Sequence, residues 1–527
     1  MSGMIIKLLM LLAFFALMIV IGFYCRRHAG SVDGFVLGGR SVGAWFTAFA
    51  YGTSYFSAVI LVGYSGQFGW KYGIASTWIG IGNAVVGSYL AWTVLGRRTR
   101  IMTQHLESKT MPDFFEKRYH NRSLKLGAAV IIFVFLIPYA ASLYNGLSRL
   151  FSMAFDIDYT VCIIVMTVLT AVYVVAGGYM ATVVNDFVQG IIMLVGIVLI
   201  VWASLRQFGG LHQAMLSLAK VTDTTVSEAP GIFTSFFGPD PLGLLWVVIL
   251  TSLGTWSLPQ MTQKFYAIRN EDAIVKGTVI STIFAFVVAG GCYFLGGFGR
   301  LLGGTVDVAK QGYDVIIPTM FKVFSPAMMG LVIILVLAAS MSTLSSLVLT
   351  SSSTLTLDLI QERRRDKMDD KHLLSTMRWL ILVFIAISAV IAILQYKYHF
   401  AFIAQLMGLS WGAMAGAFLG PFLYGLYSRR ISVPAVWTSF IFGVGVMLLN
   451  MFCRPAFPTW LQSPINCGGF VMLASLVLVP LVSRFTKAPD RAYVDGVFAC
   501  YNKKVTVTAK ESIGDQANGA HDKEEAQ

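Results

Sequence analysis

The chain has 527 residues, 56% of them apolar and only 12% charged, with a formal net charge of +13. A soluble chain of this length needs far more charge to cover its surface, so composition excludes a soluble globular domain and points to a bilayer. The basic excess is read as loops facing one side of a membrane, and nucleic acid is not an expected partner.

A backbone in lipid must satisfy its own hydrogen bonds, which leaves a helical bundle or a closed barrel. The apolar runs are about 20 residues or longer with little alternation, which selects helices. Thirteen spans are predicted, over 4–25, 44–69, 72–96, 126–153, 159–177, 183–205, 241–266, 275–299, 315–357, 376–395, 400–427, 431–452 and 468–484. The first is read as a retained span, because its positive flank, Arg26-Arg27, follows it. The ninth exceeds one crossing and is expected to hold a re-entrant or interfacial turn ahead of its main helix.

Lys and Arg gather in alternate loops. They follow span one (Arg26, Arg27, Arg40), span three (Arg97 through Lys125), span seven (Arg269 and Lys276, with Lys264 at the helix end) and span nine (Arg363 through Lys371). They recur after span eleven (Arg429, Arg430) and span thirteen (Arg484, Lys487, Arg491). This pattern puts the odd-numbered exits in the cytoplasm, the amino terminus outside and the carboxyl terminus inside, in the plasma membrane. The expected organisation is an extra first helix with its link (1–30), a transport core (31–430), two accessory helices (431–490) and a polar tail (491–527), disordered from about Lys503.

Cys25, Cys162 and Cys292 read as packing residues. Cys453 and Cys467 share one predicted outer loop, where a disulfide stays open. No GxxxxGK[ST] loop, HExxH motif, paired intramembrane acids or Ser–His pair is present, so neither ATP-driven transport within this chain nor an enzyme is expected.

Two spans are interrupted. Span two carries Tyr51-Gly52-Thr53-Ser54-Tyr55-Phe56-Ser57 near its middle, and span seven carries Thr251 through Gln260, including Gly254 and Pro259. Pro259 removes a backbone donor. Paired interruptions at corresponding places in two halves point to a solute site near the midplane. Span eleven instead holds Gly412, Gly416 and Gly420, a row of small residues that reads as close packing.

Span nine offers a cation site written in hydroxyls. Ala339, Ser342, Thr343 and Ser346 stand at i, i+3, i+4 and i+7 and share one face. A small hard ion such as sodium takes oxygen ligands, and the opened backbone of span two could supply carbonyls. Asp186 is the one carboxylate placed clearly inside an apolar span, where a charge costs at least ~3 kcal/mol. It reads either as an ion-path residue or as a cap near the helix start. Proton coupling through Asp186 is the alternative to sodium; the hydroxyl-rich face favours sodium.

On these residues the chain resembles the sodium/solute symporter family, most closely its sodium/proline branch. The resemblance rests on Leu37-Gly38-Gly39-Arg40-Ser41, Met111-Pro112-Asp113-Phe114-Phe115, Gly177-Gly178 followed by Asn185-Asp186 and Gln189, and Ala338 through Ser345. It runs from about Phe35 to Asp358 and more loosely to Lys487. It implies an all-α polytopic protein with a five-plus-five inverted-repeat core made of spans two to eleven. It also implies a main sodium site of backbone oxygens from Thr53, Phe56 and Ala339 with the hydroxyls of Ser342 and Thr343, and Ser57 beside it. Asp186 would belong to the ion path, or to a second sodium site with Ser345 and Ser346. Tyr139 matches the family, but Tyr55 stands where proline-transporting members have Asp. Thr251 and Thr255 likewise stand where those members have aromatic residues, which argues against proline. The expected solute contacts are Phe56, Ser57, Tyr139, Thr255, Trp256 and Gln405, suited to a small polar organic molecule imported with sodium by alternating access.

Overall fold

Starved of water, the backbone of such a chain must pair its own N–H and C=O groups, and here it does so in helices. The computed structural model describes residues 2–25, 31–224, 226–227, 229–302, 306–361, 369–398 and 403–502. Among them the extended pairings are two isolated bridges, Val42–Ile268 and Asp223–Ser227. The basic stretch 363–367 and the tail from Lys503 lie outside the described residues.

The principal helices are α1 (Ser2–Cys25), α2 (Ala44–Tyr55), α3 (Ser65–Tyr72), α4 (Thr77–Ala84), α5 (Arg122–Phe155), α6 (Tyr159–Gln207) and α7 (Pro241–Leu253). They continue with α8 (Pro259–Ala267), α9 (Glu271–Gly296), α10 (Pro326–Thr354), α11 (Asp370–Tyr398), α12 (Ile403–Tyr427), α13 (Val433–Phe452) and α14 (Pro464–Phe485). Among the described residues ten helices are long and apolar enough to cross a membrane, and the pair formed by α7 and α8, bent by 40°, would make eleven. That number differs from the predicted thirteen because several crossings are not straight rods. The predicted span 44–69 is α2, a non-helical step at Phe56 and Ser57, a wide π-helical turn over Val59–Tyr64, and then α3. The predicted spans 159–177 and 183–205 run together as α6, turned at Gly178, whose φ of 59° suits a residue without a Cβ. The expected turn ahead of the ninth span is present as the short helix Ile316–Phe321, after which Ser325 caps α10.

Burial sorts the helices. Of the most apolar window of each, 94% is buried in α12 and 89% in α10, against 11% in the terminal helix α1. Those two are interior over these windows, and the hydroxyls of α10 from Ser340 to Thr354 are buried in protein and not in lipid. Small residues permit this closeness. A Cβ on Gly412 would lie 2.8 Å from the Gly468 Cα, and one on Gly443 would lie 2.5 Å from the Ala417 nitrogen. The Gly412-Gly416-Gly420 row is thus a packing seam against α13 and α14. Cys453 is exposed and Cys467 buried, both as free thiols.

The motifs near the basic loops tie one end of the bundle shut. Arg40 donates to the carbonyls of Ser108 (2.6 Å) and Tyr266 (3.2 Å). Arg100 reaches the Ile268 carbonyl at 2.5 Å, and the Arg269 amide donates to the Val42 carbonyl at 2.9 Å. The loop before α2 is therefore sewn to the end of α8. Beside it, the Thr110 hydroxyl donates to Asp358 (2.7 Å), and Lys125 pairs with Glu116 at 2.8 Å. At the opposite end a cavity of about 770 Å³ is lined by Trp70, Lys71, Asp223, Asp240, Arg300 and Tyr313, among others.

Among the described glycines the tightest contact lies between α3 and α9, where a Cβ on Gly69 would sit 1.9 Å from the Gly296 carbonyl oxygen. Gly69→Ala is expected to lower the thermal midpoint of the purified protein, at a cost of roughly 1–3 kcal/mol. Gly445→Ala, in the interior of α13 and meeting nothing within 4 Å, should leave the midpoint unchanged or raise it in the same melting assay.

Candidate ion and solute site

Where α2 stops, its last carbonyls lose their helical partners. The Phe56 amide still closes onto the Gly52 carbonyl at 3.0 Å, but the amides of Ile60 and Leu61 turn to the Ser57 carbonyl. The chain thus steps past Thr53 and Phe56. The Thr53 carbonyl is met instead from α10, by the hydroxyls of Ser342 (3.1 Å) and Thr343 (3.0 Å). The same two hydroxyls lie 3.1 and 3.0 Å from the Ala339 carbonyl, and Ser342 lies 2.9 Å from that of Ala338. Each hydroxyl has a single hydrogen to give. The carbonyls of Ala338 and Ala339 also accept the helical amides of α10. The Thr53 carbonyl has no amide of its own among the described residues, and three carbonyl and two hydroxyl oxygens share only two hydroxyl protons, in a place where Thr53, Ser342 and Thr343 are fully buried. Such a surplus of lone pairs is electronegative and suits a small hard cation.

One helical turn further along α10 lies a second polar cluster. The Ser346 hydroxyl is 2.7 Å from that of Ser54, and the Lys264 ammonium donates to it at 3.1 Å. Lys264 stands 3.8 Å from Asp186 and 5.2 Å from the centre of the Tyr179 ring. Both members of this ion pair are buried. Breaking a buried pair by removing one member typically costs 3–5 kcal/mol, so the two charges hold α6 and α8 together. Ser345 does not enter the cluster, since its hydroxyl turns back to the Ser342 carbonyl at 2.9 Å.

On the other side of the α2 break is an aromatic group. Tyr55 stacks on Trp411 of α12 (5.4 Å between centroids), and Tyr139 of α5 meets Trp411 edge-on at 5.8 Å. The Tyr55 hydroxyl donates to the Thr251 carbonyl at 2.7 Å, joining the two broken helices. Phe56 packs against Tyr55 (4.3 Å) and, more loosely, against Phe284 (5.9 Å). Gly254 leaves room for Trp411, whose ring would lie 2.6 Å from a Cβ there. The hydroxyl of Tyr139 and the indole nitrogen of Trp411 are buried beside one another, and the Tyr139 hydroxyl also neighbours the side chain of Ser57.

The predicted residues thus divide. Thr53, Phe56, Ala339, Ser342 and Thr343 come together around the break, with Ser57 next to them. Tyr139 and Phe56 adjoin the aromatic group. Thr255 and Trp256 turn toward the continuation of α4, donating to the carbonyls of Gly87 (2.8 Å) and Val86 (2.9 Å). Gln405 is half-buried near the start of α12. Trp411 and Lys264 were not among the predicted site residues. Trp411 was hidden inside a small-residue packing row, and Lys264 was counted with the loop charges although it lies within the predicted span 241–266.

Two broken helices that meet across a hydroxyl-rich cation pocket and an aromatic group are the hallmarks of a secondary carrier. Comparison with known proteins sharpens this. The family model for the sodium:solute symporter family matches residues 35–443, and the chain belongs to that family. Its coupling ion is sodium, and it is a transporter and not an enzyme. It is 28% identical to the osmoregulated proline transporter OpuE of Bacillus subtilis, over 91% of this chain and 94% of that one. It is 27% identical to the sodium/proline symporter of Staphylococcus aureus, over 92% of this chain and 94% of that one. Among solved structures, a Na+-coupled sialic acid symporter in a substrate-bound outward-open state superposes with a TM-score of 0.74. It does so at 17% identity, covering 92% of this chain and 98% of the other. That likeness supports the inverted-repeat fold.

Tyr55→Phe removes the hydrogen bond between the broken helices and leaves a buried carbonyl short of a donor, a loss of about 1–3 kcal/mol. Its thermal midpoint should fall below that of the parent, whereas Tyr89→Phe, on an exposed ring, should melt with the parent.

Proposed function

We propose that the protein imports a small polar organic solute together with sodium, by alternating access. The observation that carries this reading is the convergence of the Ser342 and Thr343 hydroxyls on the Thr53 carbonyl. Sodium would sit among the carbonyl oxygens of Thr53, Phe56 and Ala339 and those two hydroxyls. Each hydroxyl would rotate so that a lone pair, and not its proton, faces the ion. The ion then bridges the broken helix α2 and the buried helix α10, which stabilises the arrangement in which the break is shaped for solute. Inward movement of each charge is worth about 2.3 kcal/mol per 100 mV of membrane potential. The clustered arginines at the sewn end support a cytoplasmic placement of that end.

The solute would lie against Tyr55, Phe56, Tyr139 and Trp411. Aromatic faces suit an apolar body, and the Tyr139 hydroxyl and Trp411 indole, which neighbour each other, suit one or two polar groups. The relatives are named for proline, but proline is not proposed here. No carboxylate occupies position 55, and the Tyr55 hydroxyl is already committed to the Thr251 carbonyl. Proton coupling through Asp186 has weaker support, because that carboxylate already faces the Lys264 ammonium.

Thermal stability tests this before any solute is known. Sodium should raise the midpoint where potassium and choline do not, by up to about 2.7 kcal/mol of stabilisation at one hundred times its dissociation constant. Ser342→Ala should shift the response to higher sodium concentration. Equal midpoints in all three salts would contradict the reading.

A further inference from the structure

The cluster one turn beyond the proposed sodium site contains the residues that the family resemblance offers for a second sodium: Asp186, Ser345 and Ser346. In this chain a cation already stands among them. The Lys264 ammonium is 3.1 Å from the Ser346 hydroxyl and 3.8 Å from an Asp186 oxygen. The hydroxyls around that ammonium have protein partners too. Ser346 is shared with Ser54 at 2.7 Å, and the Ser345 hydroxyl is turned to the carbonyl of Ser342 at 2.9 Å. The charge count is equally plain. Asp186 supplies one negative charge to this buried space and Lys264 one positive charge, so the pair is neutral. A sodium ion added there would face an ammonium within a few ångströms, with no further carboxylate recorded beside the pair among the described residues. Like charges so close in a dry site repel strongly.

We propose that Lys264 is a tethered cation that fills this second ion position, and that the carrier therefore binds and moves a single sodium ion per cycle. Lys264 is a positioning residue by this account. It lies on α8, the second half of the broken helix, and its ammonium joins that half to Asp186 on α6, to Ser346 on α10 and, through Ser346, to Ser54 on α2. A dissociable ion would make this junction only when bound; the lysine makes it permanently. The pocket of Thr53, Ser342 and Thr343 is then left as the one place where sodium concentration is felt. This inference rests on the proposed sodium pocket at Thr53 and fixes how many ions are coupled.

Equilibrium binding of sodium-22 to the purified full-length protein in lipid nanodiscs tests it, counted per folded chain. The parent should saturate at one ion per chain, and Ser342→Ala should weaken that single event. Asp186→Asn should leave the count at one. Lys264→Met frees the carboxylate and should raise the count to two, and the double variant Lys264→Met with Asp186→Asn should return it to one. Lys264→Arg keeps the charge and should bind as the parent does. Two ions bound by the parent would overturn the proposal, as would a folded Lys264→Met that still binds one. If Lys264→Met does not fold, the parent count and Asp186→Asn still decide, because a second ion held by Asp186 would disappear in the latter. Absence of any saturable sodium binding by the parent is a different failure, and it would remove the sodium reading of the Thr53 pocket itself.

Discussion

The structure depends on one interrupted hydrogen-bond ladder. A membrane helix ordinarily hides every carbonyl in its own backbone, and α2 fails to do so at Thr53 and Phe56. In lipid that failure would be prohibitive. It is tolerated because the break faces α10, a helix buried on all sides, whose Ser342 and Thr343 hydroxyls meet the exposed oxygen. The hydroxyls, in turn, could not lie there if α10 touched lipid. Burial of α10, opening of α2 and the oxygen-rich pocket are thus a single arrangement seen from three sides.

The second break follows the same logic with different chemistry. Pro259 begins α8 after a short 3-10 turn, and Gly254 lets Trp411 approach the backbone. The two breaks touch directly through Tyr55 and Thr251. They are joined again through the Lys264 ammonium and the Ser346–Ser54 pair. Below them, Arg40 and the Val42–Ile268 bridge close the end rich in arginine. In the proposed cycle this seal must part for solute to leave, and the links among α2, α8 and α10 carry the state of the ion pocket to it.

Much of this was legible in the sequence, for physical reasons. Apolar runs of membrane length report helices directly. The polar, glycine-bearing stretches at Thr53 and Gly254 reported breaks, because they stand at corresponding places in two halves, whereas the lone glycine row of span eleven reported packing. The i, i+3, i+4 spacing of Ala339, Ser342 and Thr343 put them on one face, and the structure turns that face to Thr53. What could not be read was anything requiring two distant segments to be superposed. Lys264 looked like one more loop charge until α8 was folded against Asp186. Trp411 sat in a row of glycines whose packing role is real, and its own contact with Tyr55 depended on where α12 crosses α2. Thr255 and Trp256 lie on the broken helix as expected, yet the helical phase of the turn points them at the carbonyls of Gly87 and Val86. A break fixes where a helix opens but not which way its flanking side chains face.

The central claim is that sodium binds at the opening of α2, and hydrogen exchange read at that segment tests it most directly. Amide exchange of peptides covering Thr53 to Leu61 would be followed by mass spectrometry in sodium and in choline at equal ionic strength. The account predicts slower exchange in sodium over this segment and over Ala339 to Ser346, with the protection lost in Thr343→Ala. Sodium-dependent protection confined to other parts of the chain, or identical exchange in both salts, would contradict it.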